Sequence, residues 1–196
     1  MFTVENTTKW LHAFHEKVQA NQSYLSELDS AIGDGDHGTN MARGLAEVER
    51  KLKENLFESP QEVLKMAAMA LISKTGGASG PLYGTALLEM SKQVANDPQN
   101  IGKSIEAGLN GILKRGKATT GEKTMVDIWK PVVESLMAEQ QLSKERIQQF
   151  VSETKEMKAT KGRASYLGER SLGHLDPGAV SSGYLFEAMI DGGILS

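Results

Sequence analysis

The sequence predicts an all-α fold, a barrel or bundle of eight antiparallel helices with polar loops gathered at one end. Three observations carry this. Apolar residues recur at helical spacing through almost all of the 196 residues. Period-two strand patterns are scarce, and helix-start signals precede several of the apolar runs.

Trp10, Leu11, Phe14 and Val18 mark a first helix, and Met41, Leu45, Val48 and Leu52 a second. "ESPQEVLKMAAMALISK" opens a third, with Ser59 as N-cap and Pro60 at the first helical position, where a missing N–H does no harm. A fourth runs through Tyr83, Leu87, Met90 and Val94. Asp97-Pro98 starts a fifth, leading into Ile101, Ile105, Leu109 and Ile112. "TMVDIWKPVVESLM" gives a sixth, bent by Pro131, Ser143 starts a seventh, and "PGAVSSGYLFEAMID" forms the last.

Glycine gathers in four non-helical stretches: "IGDGDHG", "KTGGASGPLYG", "KRGKATTGEKT" and "KGRASYLGERSLGHLDPGA". They follow the first, third, fifth and seventh helices. Short connections make successive helices antiparallel neighbours, so all four stretches emerge at one end. Polar, glycine-rich loops gathered this way define the expected functional end.

Composition narrows the function classes. The 22 basic and 25 acidic residues leave a formal charge of −3, with no basic tail or stripe to mark a nucleic-acid surface. Without cysteine there are neither disulfides nor thiolate metal sites. No apolar run reaches membrane-spanning length and the N-terminus is amphipathic, so the expectation is one cytoplasmic domain, residues 1–196, bound to neither nucleic acid nor membrane.

Chemistry concentrates in "LDSAIGDGDHGTNM", which sets Asp29, Asp34 and Asp36 within eight positions. Carboxylates so close repel one another unless a cation sits among them, and hard oxygen ligands suit Mg²⁺ or Ca²⁺. An EF-hand register starting at Asp34 places Thr39 where glycine is needed and Leu45 where a bidentate glutamate is needed, which favours Mg²⁺. "GGASG" and "DPGA" each lead into a helix, whose first N–H groups attract phosphate oxygens. Acidic ligands beside such helix starts read as a metal–nucleotide site. Three carboxylates and a nucleoside diphosphate together carry about six negative charges, so two divalent ions are expected.

"GILKRGKA" falls short of a Walker A motif: Ala118 replaces the hydroxyl residue and the preceding pattern is helical. Lys114, Arg115 and Lys117 there read as a solvated helix end, with Gly116 as a turn beside the nucleotide. His37 and His174 lie in the motif loops, and His37 beside a phosphate would donate to an oxygen. His12 and His15 lie on the first helix and read as surface residues. Thr39, Asn40 and Ser79 serve either as helix caps or as phosphate contacts. Arg163 and Arg170 are the best cations for a developing phosphoryl charge. Met125 suits packing against a purine.

Four segments in order, "LDSAIGDGDHGTNM", "GGASGPLYGT", "RGKATTGEKTMVD" and "KGRASYLGERSLGHLDPGA", resemble the nucleotide-binding L subunits of bacterial dihydroxyacetone kinases over nearly the whole length. The resemblance implies an eight-helix barrel holding ADP and two Mg²⁺ at one end. It implies Asp29, Asp34 and Asp36 as metal ligands. Nucleotide contacts would come from His37, Thr39, Asn40, Ala78, Ser79, Gly116, Met125, Arg163, Asp176, Pro177 and Gly178, with Arg163 also catalytic. In ATP-dependent relatives the L-type domain is fused behind a substrate-binding K-type domain, which 196 residues do not accommodate. The expectation is therefore the phosphotransferase-system form, in which ADP is a bound coenzyme. A phosphohistidine M subunit rephosphorylates it, and the phosphoryl group passes to dihydroxyacetone on a K subunit. A nucleotide-dependent partner of a transcription regulator, an L-type subunit of an ATP-dependent kinase and a metal-dependent phosphohydrolase are the alternatives.

Overall fold

In the computed structural model, which describes residues 1–195, nine α-helices and two short 3-10 segments account for the regular structure. In chain order they are α1 (Val4–Ala20), α2 (Gln22–Ile32), α3 (His37–Glu54), α4 (Pro60–Lys74), α5 (Ser79–Asn96), α6 (Ile101–Gly116), α7 (Val126–Met137), α8 (Lys144–Glu153) and α9 (Pro177–Asp191), with 3-10 segments at Thr154–Glu156 and Arg163–Ser171. Among the described residues there is no strand.

The expected eight rods are present. Only Asn21 separates α1 from α2, and both pack on α3 and α9, so the pair acts as one rod bent at that residue. Each rod packs on the next, and α9 returns to α1, closing a ring. Trp10, Phe14, Tyr83, Trp129 and Phe186 fill its centre, Trp129 meeting Phe186 edge-on with ring centroids 5.0 Å apart. None of the helices among the described residues is long and apolar enough to cross a membrane.

Ser59 and Ser143 cap α4 and α8 as the sequence indicates, each hydroxyl accepting an N–H of the first turn. The fifth predicted rod starts later than Asp97-Pro98. Asp97 instead accepts the N–H of Gln99 in a turn, and Asn100 caps α6. Pro131 lies inside α7 as expected.

The helices that begin at the far end of the ring, α1, α4, α6 and α8, are all capped by side chains: Thr3, Ser59, Asn100 and Ser143. At the opposite end α3 and α5 begin with no capping side chain. Apart from the His37 N–H, which the Asp29 carboxylate accepts, their first N–H groups are left for another partner.

A cleft built from four loops

The four glycine-rich stretches meet at one end of the ring, as the alternation of helix directions requires, and enclose a cleft of about 630 Å³. Small-molecule sites typically occupy about 300–1,000 Å³. Asp29, Asp34, Asp36, His37, Asn40, Ala78, Ser79, Gly116, Met125, Arg163, Asp176, Pro177 and Gly178 all line it. Thr39 does not: it is exposed on α3, 3.5 Å from the Gln22 amide. Its position two residues past His37 turns it to the outside of the helix.

Asp29 belongs to the last turn of α2, a helix absent from the sequence reading, while Asp34 and Asp36 lie in the loop that follows. One carboxylate oxygen of Asp29 accepts the N–H groups of Asp36 and His37 at 2.9 and 3.1 Å. These bonds fold the loop back over α2 and bring oxygens of all three aspartates within 4.8 Å of one another. Burial raises the Asp29 pKa, against the lowering effect of the two N–H donors. Gly33 passes so close that a Cβ there would lie 2.2 Å from Asp29 Oδ1, and Gly35 has φ +77°. Neither position accepts a side chain without displacing the carboxylate or straining the turn.

His37 occupies the first position of α3, buried, with Nε2 2.9 Å from Ser181 Oγ and Nδ1 3.2 Å from Ser79 Oγ. Burial lowers its pKa to about 4, so the ring is neutral near pH 7. Ser181 also meets the Tyr83 hydroxyl at 2.7 Å, which in turn lies 2.9 Å from Ser182. This chain of hydroxyls fixes Ser79 at the start of α5. The expected role of His37 as a direct phosphate donor is thereby modified: both ring nitrogens already face hydroxyl groups.

Asp176 caps α9, accepting the N–H of Ala179 at 2.7 Å, and burial pushes its pKa up to about 7. Arg163 starts the second 3-10 segment and pairs with Asp34 at 3.1 Å across the mouth. Arg170 and His174 are exposed and lie outside the cleft lining. Gly168, at φ 56° and ψ −126°, breaks the 3-10 path and turns the chain before Arg170.

The charged residue Lys123 is not among the site residues the sequence predicts. Lys123 lines the cleft, yet its side chain is buried and donates to the carbonyls of Thr154 at 2.8 Å and Met157 at 3.1 Å, and also to that of His174. It ties the α6–α7 loop to the segment carrying Arg163 and Asp176. Apolar walls come from Pro81, Leu82, Ile112 and Met125, the last also part of the buried core.

A closed ring of helices with a carboxylate-rich, amide-lined mouth is a fold suited to holding a metal-bound polyanion. The DAK2 domain family matches residues 31–191, and the chain belongs to that family. It is 56% identical over 185 residues, covering 93% of both chains, to the PEP-dependent dihydroxyacetone kinase 1, ADP-binding subunit DhaL, of Listeria innocua. Identity to the PTS-dependent dihydroxyacetone kinase, ADP-binding subunit DhaL, of Lactococcus lactis is 52% over 191 residues, 97% of this chain and 98% of the relative. Among solved structures, the dihydroxyacetone kinase from C. freundii in complex with AMP-PNP and Mg²⁺ superposes with a TM-score of 0.76 at 21% identity, covering 94% of this chain. The chain spans about a third (33%) of that kinase's length, and the likeness establishes the fold.

Proposed function

We propose that this chain, read as one L-type domain, is the ADP-binding, phosphoryl-relaying subunit of a dihydroxyacetone kinase. The observation that carries the reading is the meeting of three aspartates with the uncapped start of α5 in one cleft. The names of the relatives above, covering more than nine-tenths of this chain, support it.

The donor set fits magnesium: all-oxygen, clustered, and beside amide groups that would take phosphate oxygens. Asp29, Asp34 and Asp36 would hold two Mg²⁺. Bound there, the ions would offset the charge of the diphosphate and of the phosphoryl group in transit. The amides at Ala78 and Ser79 would receive phosphate oxygens, with Ser79 oriented by His37. Gly178 would border the phosphates, and Asp176 with Pro177 would hold the start of α9 against them. Leu82, Ile112 and Met125 would flank the base, and Gly116 would leave room for it. Arg163, exposed at the rim, would swing from Asp34 to the transferring group, where its planar fork suits phosphoryl oxygens.

No nucleophilic side chain is needed on this chain, because positioning and charge supply the catalysis. The nucleotide would remain bound, accept a phosphoryl group from a phosphohistidine M subunit and pass it to dihydroxyacetone on a K subunit. Mass spectrometry of the nucleotide that co-purifies, followed by incubation with an M-type phosphodonor, tests this. ADP recovered with the protein and converted to ATP in place supports the reading. A nucleotide-free protein that takes up no ADP in the presence of Mg²⁺ overturns it.

A further inference from the structure

A second group of ligating side chains lies on the outer wall, away from the cleft. His12 and His15, one turn apart on α1, and Glu49 on α3 each present an atom within 4.8 Å of the other two. Glu49 stands twelve residues beyond His37 on α3, about 18 Å along the helix axis at 1.5 Å per residue. The group is therefore separate from the aspartates.

We propose that His12, His15 and Glu49 form a binding site for a divalent transition ion of the zinc class, clamping α1 to α3. Two imidazole nitrogens and one carboxylate oxygen are the donor set of that class, in contrast to the all-oxygen aspartate group. Tetrahedral zinc with bonds of about 2.0–2.1 Å places its ligand atoms about 3.3 Å apart. His12 Nδ1 and Glu49 Oε2 are already 3.0 Å apart. The His15 atom lies within 4.8 Å of both, so it is the ligand that must move in to close on an ion.

The surroundings are those of an oriented metal ligand. His12 Nε2 faces the Glu16 carboxylate at 3.5 Å, so its second nitrogen can donate to an acid while the first ligates. Glu49 divides its two oxygens: Oε2 faces His12, and Oε1 holds Lys53 at 2.9 Å. Monodentate ligation by Oε2 leaves that ion pair intact. Nδ1 of His15 is buried with no hydrogen-bond partner, a polar atom lacking the counterpart that such atoms normally have.

Zinc binding measured by equilibrium dialysis in excess Mg²⁺ tests the assignment. An Asp34→Ala/Asp36→Ala protein should retain about one zinc per chain, because its aspartate group is disabled while the outer group is whole. His12→Ala/His15→Ala in that background should lose it. Glu16→Gln, an exposed change that leaves all three ligands in place, should weaken binding by about tenfold. Retention of Mg²⁺–ADP binding by His12→Ala/His15→Ala in the otherwise unaltered chain checks that the ring remains folded. Zinc held equally with and without the histidines, or not held once the aspartates are removed, overturns the proposal and leaves the reading of the cleft untouched.

Discussion

Arg163 and Asp34 face each other at 3.1 Å across the mouth of the cleft, joining the second 3-10 segment to the loop between α2 and α3. The Arg163 side chain is 71% exposed, so the pair contributes little to folding, as exposed ion pairs generally do. Arg163→Met should leave the melting temperature of the nucleotide-free protein nearly unchanged. Phosphoryl transfer in an assay with the partner subunits should fall by about 10²–10³-fold if the guanidinium stabilises developing charge. A transfer rate within twofold of the parent would remove Arg163 from the catalytic role.

The three aspartates should separate under mutation because their local duties differ. Asp34 and Asp36 are exposed loop residues, so Asp34→Ala or Asp36→Ala should abolish calorimetric Mg²⁺–ADP binding with a folding change of about 0.5 kcal/mol or less. Asp29 accepts two backbone N–H groups, and Asp29→Ala should lose the same binding and also cost about 1–3 kcal/mol in denaturant unfolding. Equal stability of all three variants would show that the Asp29 bonds do not hold the loop.

Asp176 gives the ligand-free protein a predictable pH dependence. Its folded-state pKa of about 7 lies above the ordinary carboxylate value, because burial disfavours the charge. The fold therefore favours the protonated acid, and this contribution is fully present below about pH 4 and lost as pH rises through about 7. Asp176→Asn keeps a cap acceptor without the titration. Between pH 4.5 and 8 the parent's melting temperature should fall relative to that of Asp176→Asn. Parallel curves would contradict the assignment.

Magnesium and ADP together should stabilise the fold by mass action. At a hundredfold excess over the dissociation constant the gain is about 2.7 kcal/mol, a rise of roughly 5–10 °C for a chain of this size. Either component alone should give much less, since each needs the other to balance charge. Chelation by EDTA should return the curve to that of the ligand-free protein.

The parts of this architecture legible in the sequence are those written locally. Ser59-Pro60, Ser143 and Asp176-Pro177 announce helix starts with hydroxyl or carboxylate caps, and the structure has them. The meeting of the loops followed from counting helix directions, with no long-range information. What failed depends on partners far along the chain. Residues 22–32 mix Ser, Glu and Asp among Leu25, Leu28 and Ile32, so their helix was masked until Asn21 was seen to bend one continuous rod. Asp97 and Asn100 compete as caps within four residues, and only the turn geometry decides between them. The burial of Lys123 is set by carbonyls 31 to 51 residues away, which no window around a lysine reveals. Arg170 shared the promise of Arg163 until a left-handed glycine between them sent it elsewhere.

The bare start of α5 also bears on how this molecule could be hardened. An engineer seeking thermal tolerance would find Ala78 an attractive target, since a serine or threonine in place of alanine at an unclosed helix start commonly raises stability by about 1 kcal/mol. A hydroxyl there would engage the N–H groups on which phosphate binding is proposed to depend. Robustness and turnover are thus opposed at this residue, while the already closed helix starts at the other end leave little room for improvement of the same kind.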